Sequence, residues 1–335
     1  MSPTNPSISI LGNPSKNKLN YYVWKDVTNE KNVTYIPNVV KSGITRKLWA
    51  LFRRLTLSKK LPCINFRHKI FDFIAYNILR KAITTDILIV SYVSLDEVGL
   101  NALDRLLKQN VKIILFLFDP LIGLSPHFQS LILSGVERGI FSAVYSFDPA
   151  DCKKYNFKYW EQIYSGEGVN EITNIVYPIK RPIVYFAGRN KGRIQMLYDF
   201  IQIFESSKIS CVIRLPEYEL DNEKTKGVVI LKEMVDYRQI LSEVAGADII
   251  LDIIQSNQTG LSWRIIEAFI FNKKLITNNK SVVKSPYYNP DWIQVFDKPS
   301  DINIDWCYRG VDIQYNYQND YSPKRFIDII SQNNY

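Results

Sequence analysis

The feature that most constrains this chain is an alternation of apolar strands and amphipathic helices that runs, stops and starts again. DILIVSYVS reads as a buried strand, LDEVGLNALDRLLKQ as a helix and VKIILFLFD as a second strand; the helix SPHFQSLILSGVERG and the strand IFSAVYSFD follow. Strands alternating with helices of this length specify a parallel sheet with crossover helices. From Asp148 to Arg181 the pattern breaks into a polar, aromatic and irregular stretch, DPADCKKYNFKYWEQIYSGEGVNEITN. It then resumes with the strand IVYFAG and the helix NKGRIQMLYDFIQIFESS, whose Ile194, Leu197, Tyr198, Ile201 and Phe204 share one face. SCVIRL, VVIL, ADIILDII and KKLITNN read as further strands, with helices in YRQILSEVAGA and TGLSWRIIEAFIFN. WIQVFD and RFIDIISQ would complete the sheet and return a C-terminal helix, while ISIL, YYVW and VTYI in the first forty residues read as strands among loops. The expected architecture is α/β, with two doubly wound Rossmann-like domains at 1–150 and 182–335, joined by a crossover at 151–181. A length of 335 residues suits two such domains. Paired doubly wound halves hold ligands in the cleft between them, at the C-terminal ends of the strands.

The apolar fraction of 46% with 22% charge excludes a disordered chain. Cys63, Cys152, Cys211 and Cys307 lie far apart with no CxxC pair, so neither a disulfide framework nor a zinc site is expected. The start, MSPTNPSISILGNPSK, lacks the charged flank and apolar core of a signal peptide, and no run approaches the length of a spanning helix. The expectation is a cytoplasmic protein, soluble or resting on a membrane without crossing it. Between Lys41 and Lys81 eleven Lys and Arg face a single acid, Asp72, so this segment is more basic than the whole chain at +9. Within it Ile44, Leu48, Leu51, Phe52 and Leu55 follow helical spacing, Arg46, Lys47, Arg53 and Arg54 cluster opposite, and Trp49 lies between the two faces. Such a helix seeks an anionic partner, be it lipid headgroups, nucleic acid or a phosphorylated acceptor, unless it simply packs on the first sheet with its cations solvated. No DNA- or RNA-binding motif accompanies it, which argues against nucleic acid. His68, inside this segment, is expected at a surface or interface.

Two places could carry chemistry. In FAGRNKGR, at a strand-to-helix joint, Gly188 permits a tight turn and Arg189, Lys191 and Arg193 add cations to a helix start. Free N–H groups with adjacent cations make a seat for a diphosphate, or else a solvated basic turn. In LDIIQSNQTGLSWRIIEAFIFNKKLITNN, Thr259 is expected to cap a helix, Gly260 to admit a ligand at its start, and Glu267 to accept bonds from a ribose diol. The ordinary alternative is an ion pair between Glu267 and Arg264, three residues before it.

Taken in order, FAGRNKGR, YRQILSEVAGADIILDI and QTGLSWRIIEAFIFNKKLITNN resemble the nucleotide-sugar half of GT-B glycosyltransferases. SFDPADCKKYNFKYW is similar to the segment preceding that half in bacterial transferases of lipopolysaccharide and capsule biosynthesis. The resemblance, over roughly residues 85–296, implies a GT-B fold with the donor diphosphate on Arg189 and Lys191 and the donor ribose on Glu267. Many retaining members carry a second glutamate eight residues earlier, where this chain has Thr259, with Gln258 the nearest polar substitute. There is no DxD carboxylate pair; no metal or other cofactor is expected, because cations and helix dipoles replace it. An inverting enzyme would need a base across the cleft, for which Asp119, ending the VKIILFLF strand, and His127, opening the next helix, are the candidates. A turn-forming Asp-Pro and a helix-start histidine are their ordinary alternatives. The implied activity moves a sugar from a nucleotide sugar to a lipid-linked oligosaccharide at the inner face of the cytoplasmic membrane. The alternative is a non-catalytic protein of the same fold serving polysaccharide assembly.

Overall fold

The computed structural model describes residues 6–12, 18–36, 73, 75–77, 79–215, 220–221, 223–233, 235–255 and 258–332. The basic helix expected around Arg46, Lys47, Trp49, Arg53 and Arg54 lies outside these residues, as does His68. The first half contains β1 (Ile8–Leu11), α1 (Leu19–Trp24), β2 (Val33–Ile36), β3 (Ile87–Ser91), α2 (Tyr92–Val98), α3 (Leu100–Leu107), β4 (Lys112–Leu117), α4 (Pro126–Glu137), β5 (Ala143–Ser146), α5 (Pro149–Tyr155) and β6 (Lys158–Tyr159). The second contains β7 (Ile183–Ala187), α6 (Ile194–Ser206), β8 (Ser210–Arg214), β9 (Val229–Leu231), α7 (Tyr237–Gly246), β10 (Ile249–Asp252), α8 (Trp263–Ile270), β11 (Lys274–Thr277), β12 (Ile293–Val295), α9 (Ile304–Tyr308) and α10 (Pro323–Ser331).

Each half is a six-stranded sheet, ordered β2-β1-β3-β4-β5-β6 and β12-β11-β10-β7-β8-β9. All the strand pairings are parallel, so both faces need helical cover and the strands read as unbroken apolar runs such as KIILFL in β4. The two sheets and their intervening helices are the α/β, double Rossmann-like fold that the alternation predicts.

Four readings change. The stretch from Asp148, expected to be irregular, opens with α5 and β6, and β6 pairs with β5 to extend the first sheet. YYVW is not a strand but part of α1; Tyr21 and Tyr22 enter the core of the second half while Val23 and Trp24 enter that of the first, so α1 is a wedge between domains. A four-residue apolar run does not distinguish strand from helix. The helix expected across residues 95–109 breaks at Gly99, whose φ of +80° only glycine adopts without strain. The C-terminal helix α10 leaves the second half: Phe326, Ile327 and Ile330 join Ile8, Ile10, Ile89 and Phe116 in a core of the first sheet.

Buried Asp26 ties these crossings together. It accepts from Ser165 Oγ and the Glu167 N–H (3.2 Å) of the crossover, and from Asn319 Nδ2 (2.8 Å) and Ser322 Oγ (2.5 Å) of the returning chain. Among the described residues no helix is long and apolar enough to cross a membrane.

Candidate functional site

Strand order reverses between β10 and β7 in the second sheet, and the loops leaving those two strands bound a crevice there. A cavity of about 690 Å³ occupies it, lined by Lys191, Arg193, Gln195, Gln255, Asn278 and Lys298 among others.

The turn after β7 places two guanidinium groups side by side. Arg193 and Arg264 both lie over the Phe186 ring, at 5.4 and 5.6 Å from its centroid. Gly188 leaves them room, since a Cβ there would stand 3.0 Å from Arg193 Nη2 and 3.5 Å from Arg264 Nη1. Arg264 is neutralised: its Nε donates to Asp252 Oδ1 (2.8 Å) and its Nη1 to the Ala187 carbonyl (3.1 Å). Buried Asp252 is held in turn by the hydroxyls of Ser262 and Thr277, each at 2.8 Å. Arg193 is only 8% exposed and is held by the carbonyls of Arg189 (2.9 Å) and Ile253, with no ion pair of its own among the described residues. Burial, and then the like charge of Arg264, push its guanidinium down to about 9. Arg193 also occupies the N-cap position of α6 without capping it, so first-turn N–H groups open beside a buried cation that Asp252 and Asp119 influence only from a distance. Such an arrangement can accept an anion.

Lys191 is brought to the cleft in an unexpected pairing. Its backbone is left-handed (φ +41°), and its Nζ lies 3.0 Å from Asp119 Oδ1 across the domain boundary. Asp119 Oδ2 accepts from the Tyr92 hydroxyl at 2.6 Å, a hydroxyl that burial and the nearby Asp119 charge push far up. The expected diphosphate cation and the expected base therefore hold each other. Arg189 is exposed, its charge close enough to oppose the shift at Tyr92. His127 stands exposed in the first turn of α4, its ring 5.5 Å from Phe128.

The second motif is placed differently from the sequence expectation. Helix α8 begins three residues late, with Ser262 rather than Thr259 at its N-cap. Thr259 instead gives its N–H (2.7 Å) and Oγ1 (2.6 Å) to Asp148, at the end of the first half's β5. Gly260 does admit a close approach, but of protein: a Cβ would overlap the Phe147 carbonyl and lie 2.5 Å from its ring. Glu267 does not reach the cavity. It is 3% exposed, its Oε1 accepting from the hydroxyls of Tyr164 (3.3 Å) and Tyr237, and burial pushes its carboxyl up to about 7. Nor does it pair with Arg264, which turns to Asp252 because β10 ends beneath it.

Sequence reasoning missed Tyr92, Asp148 and Asp252. Asp148 and Asp252 are carboxylates at or just past a strand's C-terminal end, a position that faces the cleft in this architecture, and that was the available signal. Among the described residues no cluster of His, Cys, Asp and Glu is arranged to hold a metal ion.

No protein-family model matches the chain, and no curated protein matches it by sequence. Solved structures do match over nearly the full length, and they define a GT-B fold. An α,α-trehalose-phosphate synthase (UDP-forming) from Burkholderia xenovorans, in complex with glucose-6-phosphate, is 10% identical, with 98% of this chain and 99% of that one covered at a TM-score of 0.58. An α-glucosyltransferase in complex with UDP and DNA is 13% identical, with 98% and 91% covered and a TM-score of 0.55. A protein assigned as a UDP-N-acetylglucosamine 2-epimerase from Listeria monocytogenes is 10% identical, with 98% and 96% covered and a TM-score of 0.55. One fold thus serves transfer and epimerisation, and function must be argued from the site.

Proposed function

We propose that this chain is a glycosyltransferase that takes a sugar from a nucleotide-sugar donor. Arg193 carries the reading: a buried guanidinium without a carboxylate, at an uncapped helix start, facing a cavity at the switch point. A departing nucleoside diphosphate supplies the missing negative charge, and catalysis rests on orienting the donor and stabilising that leaving group. Arg189 lies near the same turn, and Lys191 joins the diphosphate by exchanging Asp119 for phosphate. That exchange releases Asp119, the proposed base, to meet an acceptor hydroxyl. No metal is needed in this scheme. The acceptor is a lipid-linked oligosaccharide of lipopolysaccharide, O-antigen or capsule synthesis, at the inner face of the cytoplasmic membrane.

Melting temperature should rise with UDP, GDP, TDP or CMP and identify the nucleotide. Arg193→Met should weaken the nucleoside diphosphate about thirtyfold, one charge-assisted bond, while leaving the nucleoside unaffected and the apo protein no less stable. Equal losses for diphosphate and nucleoside would remove Arg193 from the phosphates.

For the basic segment, the expected result is co-sedimentation with vesicles containing anionic lipid, reversed by salt and abolished when Arg46, Lys47, Arg53 and Arg54 become Gln. Binding to neutral vesicles, or binding that survives the four substitutions, would leave the segment as an ordinary part of the first domain.

One observation favours a second reading, a non-catalytic binding or assembly protein. Glu267 is sealed behind Tyr164 and Tyr237, closed off from a ribose. Nucleotide-sugar hydrolysis without acceptor separates the two, because a scaffold shows none.

A further inference from the structure

On the far side of the second sheet the returning chain crosses the end of α8, where a hollow of about 660 Å³ opens near the start of β11. We propose that this groove is a second ligand site, and that it takes a neutral oligosaccharide chain. It shares no lining residue with the cavity of the cleft, so the proposal stands apart from the nucleotide-sugar reading.

The return alternates strictly. Ile313, Tyr315 and Tyr317 pack inward among Phe269, Tyr287 and Trp292, while Gln314, Asn316 and Gln318 face outward along the groove. Asn170 of the crossover and Asn272 beyond α8 complete the wall. Several of these amides are half-used: Asn272 accepts the Tyr315 N–H (3.0 Å), Gln314 donates to Asp312 (2.8 Å) and Gln318 donates to the Asn316 carbonyl (2.7 Å). The Asn272 NH₂, the Gln314 and Gln318 side-chain carbonyls and the whole amides of Asn170 and Asn316 take no protein partner among the described residues.

An amide both donates and accepts, as a sugar hydroxyl does, so a row of them pairs with a row of hydroxyls. The half-buried Tyr317, stacked on Tyr321, lines the floor of the groove beneath these amides. The charge is telling. In a chain of net +9 this groove has no Lys or Arg in its lining, and its charged members are Glu167 and Asp312, so phosphates and acidic sugars are disfavoured. Length is provided by a second hollow of about 500 Å³ that shares Asn272, Asp312 and Ile313. Of its four cations, Arg181 is engaged by Asp248, Lys273 by the Ala245 carbonyl and Lys274 by the Trp306 and Arg309 carbonyls, while the exposed Arg309 side chain has no such partner among the described residues. A peptide would call for a backbone ladder or deep apolar pockets, and outward amides supply neither.

The test is the full-length protein on an array of neutral oligosaccharides, acidic oligosaccharides and immobilised peptides. Retention is expected on neutral chains of several units. Asn170→Ala, Gln314→Ala and Asn316→Gly together should weaken it at least about tenfold with melting temperature unchanged, glycine being chosen because residue 316 has φ +51°. Arg193→Met should leave it intact, which separates this site from the cleft. Retention of no neutral chain, of acidic chains or peptides alone, or retention indifferent to the triple variant or lost in Arg193→Met, overturns the proposal.

Discussion

Asp148→Ala should destabilise the protein by about 4 kcal/mol, a fall of roughly 8 °C in melting temperature. Asp148 is fully buried and serves two domains at once. It caps α5 through the Ala150 N–H (2.9 Å), and it receives the Thr259 N–H, the Thr259 hydroxyl and the Gly260 N–H (3.2 Å) from the opposite half. Loss of the cap costs about 1 kcal/mol. Each donor left unpaired at the seam costs about 1 kcal/mol or more. Asp148→Asn, which keeps one acceptor oxygen, should fall between wild type and alanine in chemical denaturation. A change below about 1 kcal/mol for the alanine variant would mean that this contact does not hold the halves together.

The second large effect is a pH dependence. Glu267 titrates near 4.5 when unfolded and at about 7 when folded, because burial penalises its charge. Below pH 4.5 both states hold the proton; between 4.5 and about 7 the folded state alone keeps it; above that both have lost it. Stability therefore falls as pH rises through this window, by on the order of 3 kcal/mol from this group. Glu267→Gln carries no such proton, so the difference in unfolding free energy between the two proteins should move by that amount, in favour of glutamine, between pH 4 and 8. A difference that stays flat with pH would show Glu267 to be ionised throughout.

Much of the fold was legible because a parallel sheet covered on both sides writes itself as apolar strands separated by amphipathic helices. FAGRNKGR was legible for a related reason: a glycine and three cations at a strand-to-helix joint have local meaning. Partners were not. Asp148 and Thr259 are 111 residues apart and Asp119 and Lys191 are 72 apart, and nothing in the local pattern of either says that they meet. Glu267 shows the same limit on a smaller scale. Its spacing from Arg264 was readable, but which way the arginine turned depended on Asp252 ending a neighbouring strand. Tyr164 and Tyr237, which surround that glutamate, come from the crossover and from α7, two stretches that no helical periodicity relates.

The return of α10 bears on how the protein comes into being on the ribosome. Phe326, Ile327 and Ile330 are almost wholly buried in the core of the first sheet, burial worth roughly 6 kcal/mol. Domains ordinarily fold in the order they are synthesised. Here the amino-terminal domain must wait with one face of its sheet uncovered while the whole second domain is made. Its core closes only once residues 323–331 have left the exit tunnel, so a chain stopped short of residue 326 presents that apolar face to the cell's chaperones and proteases.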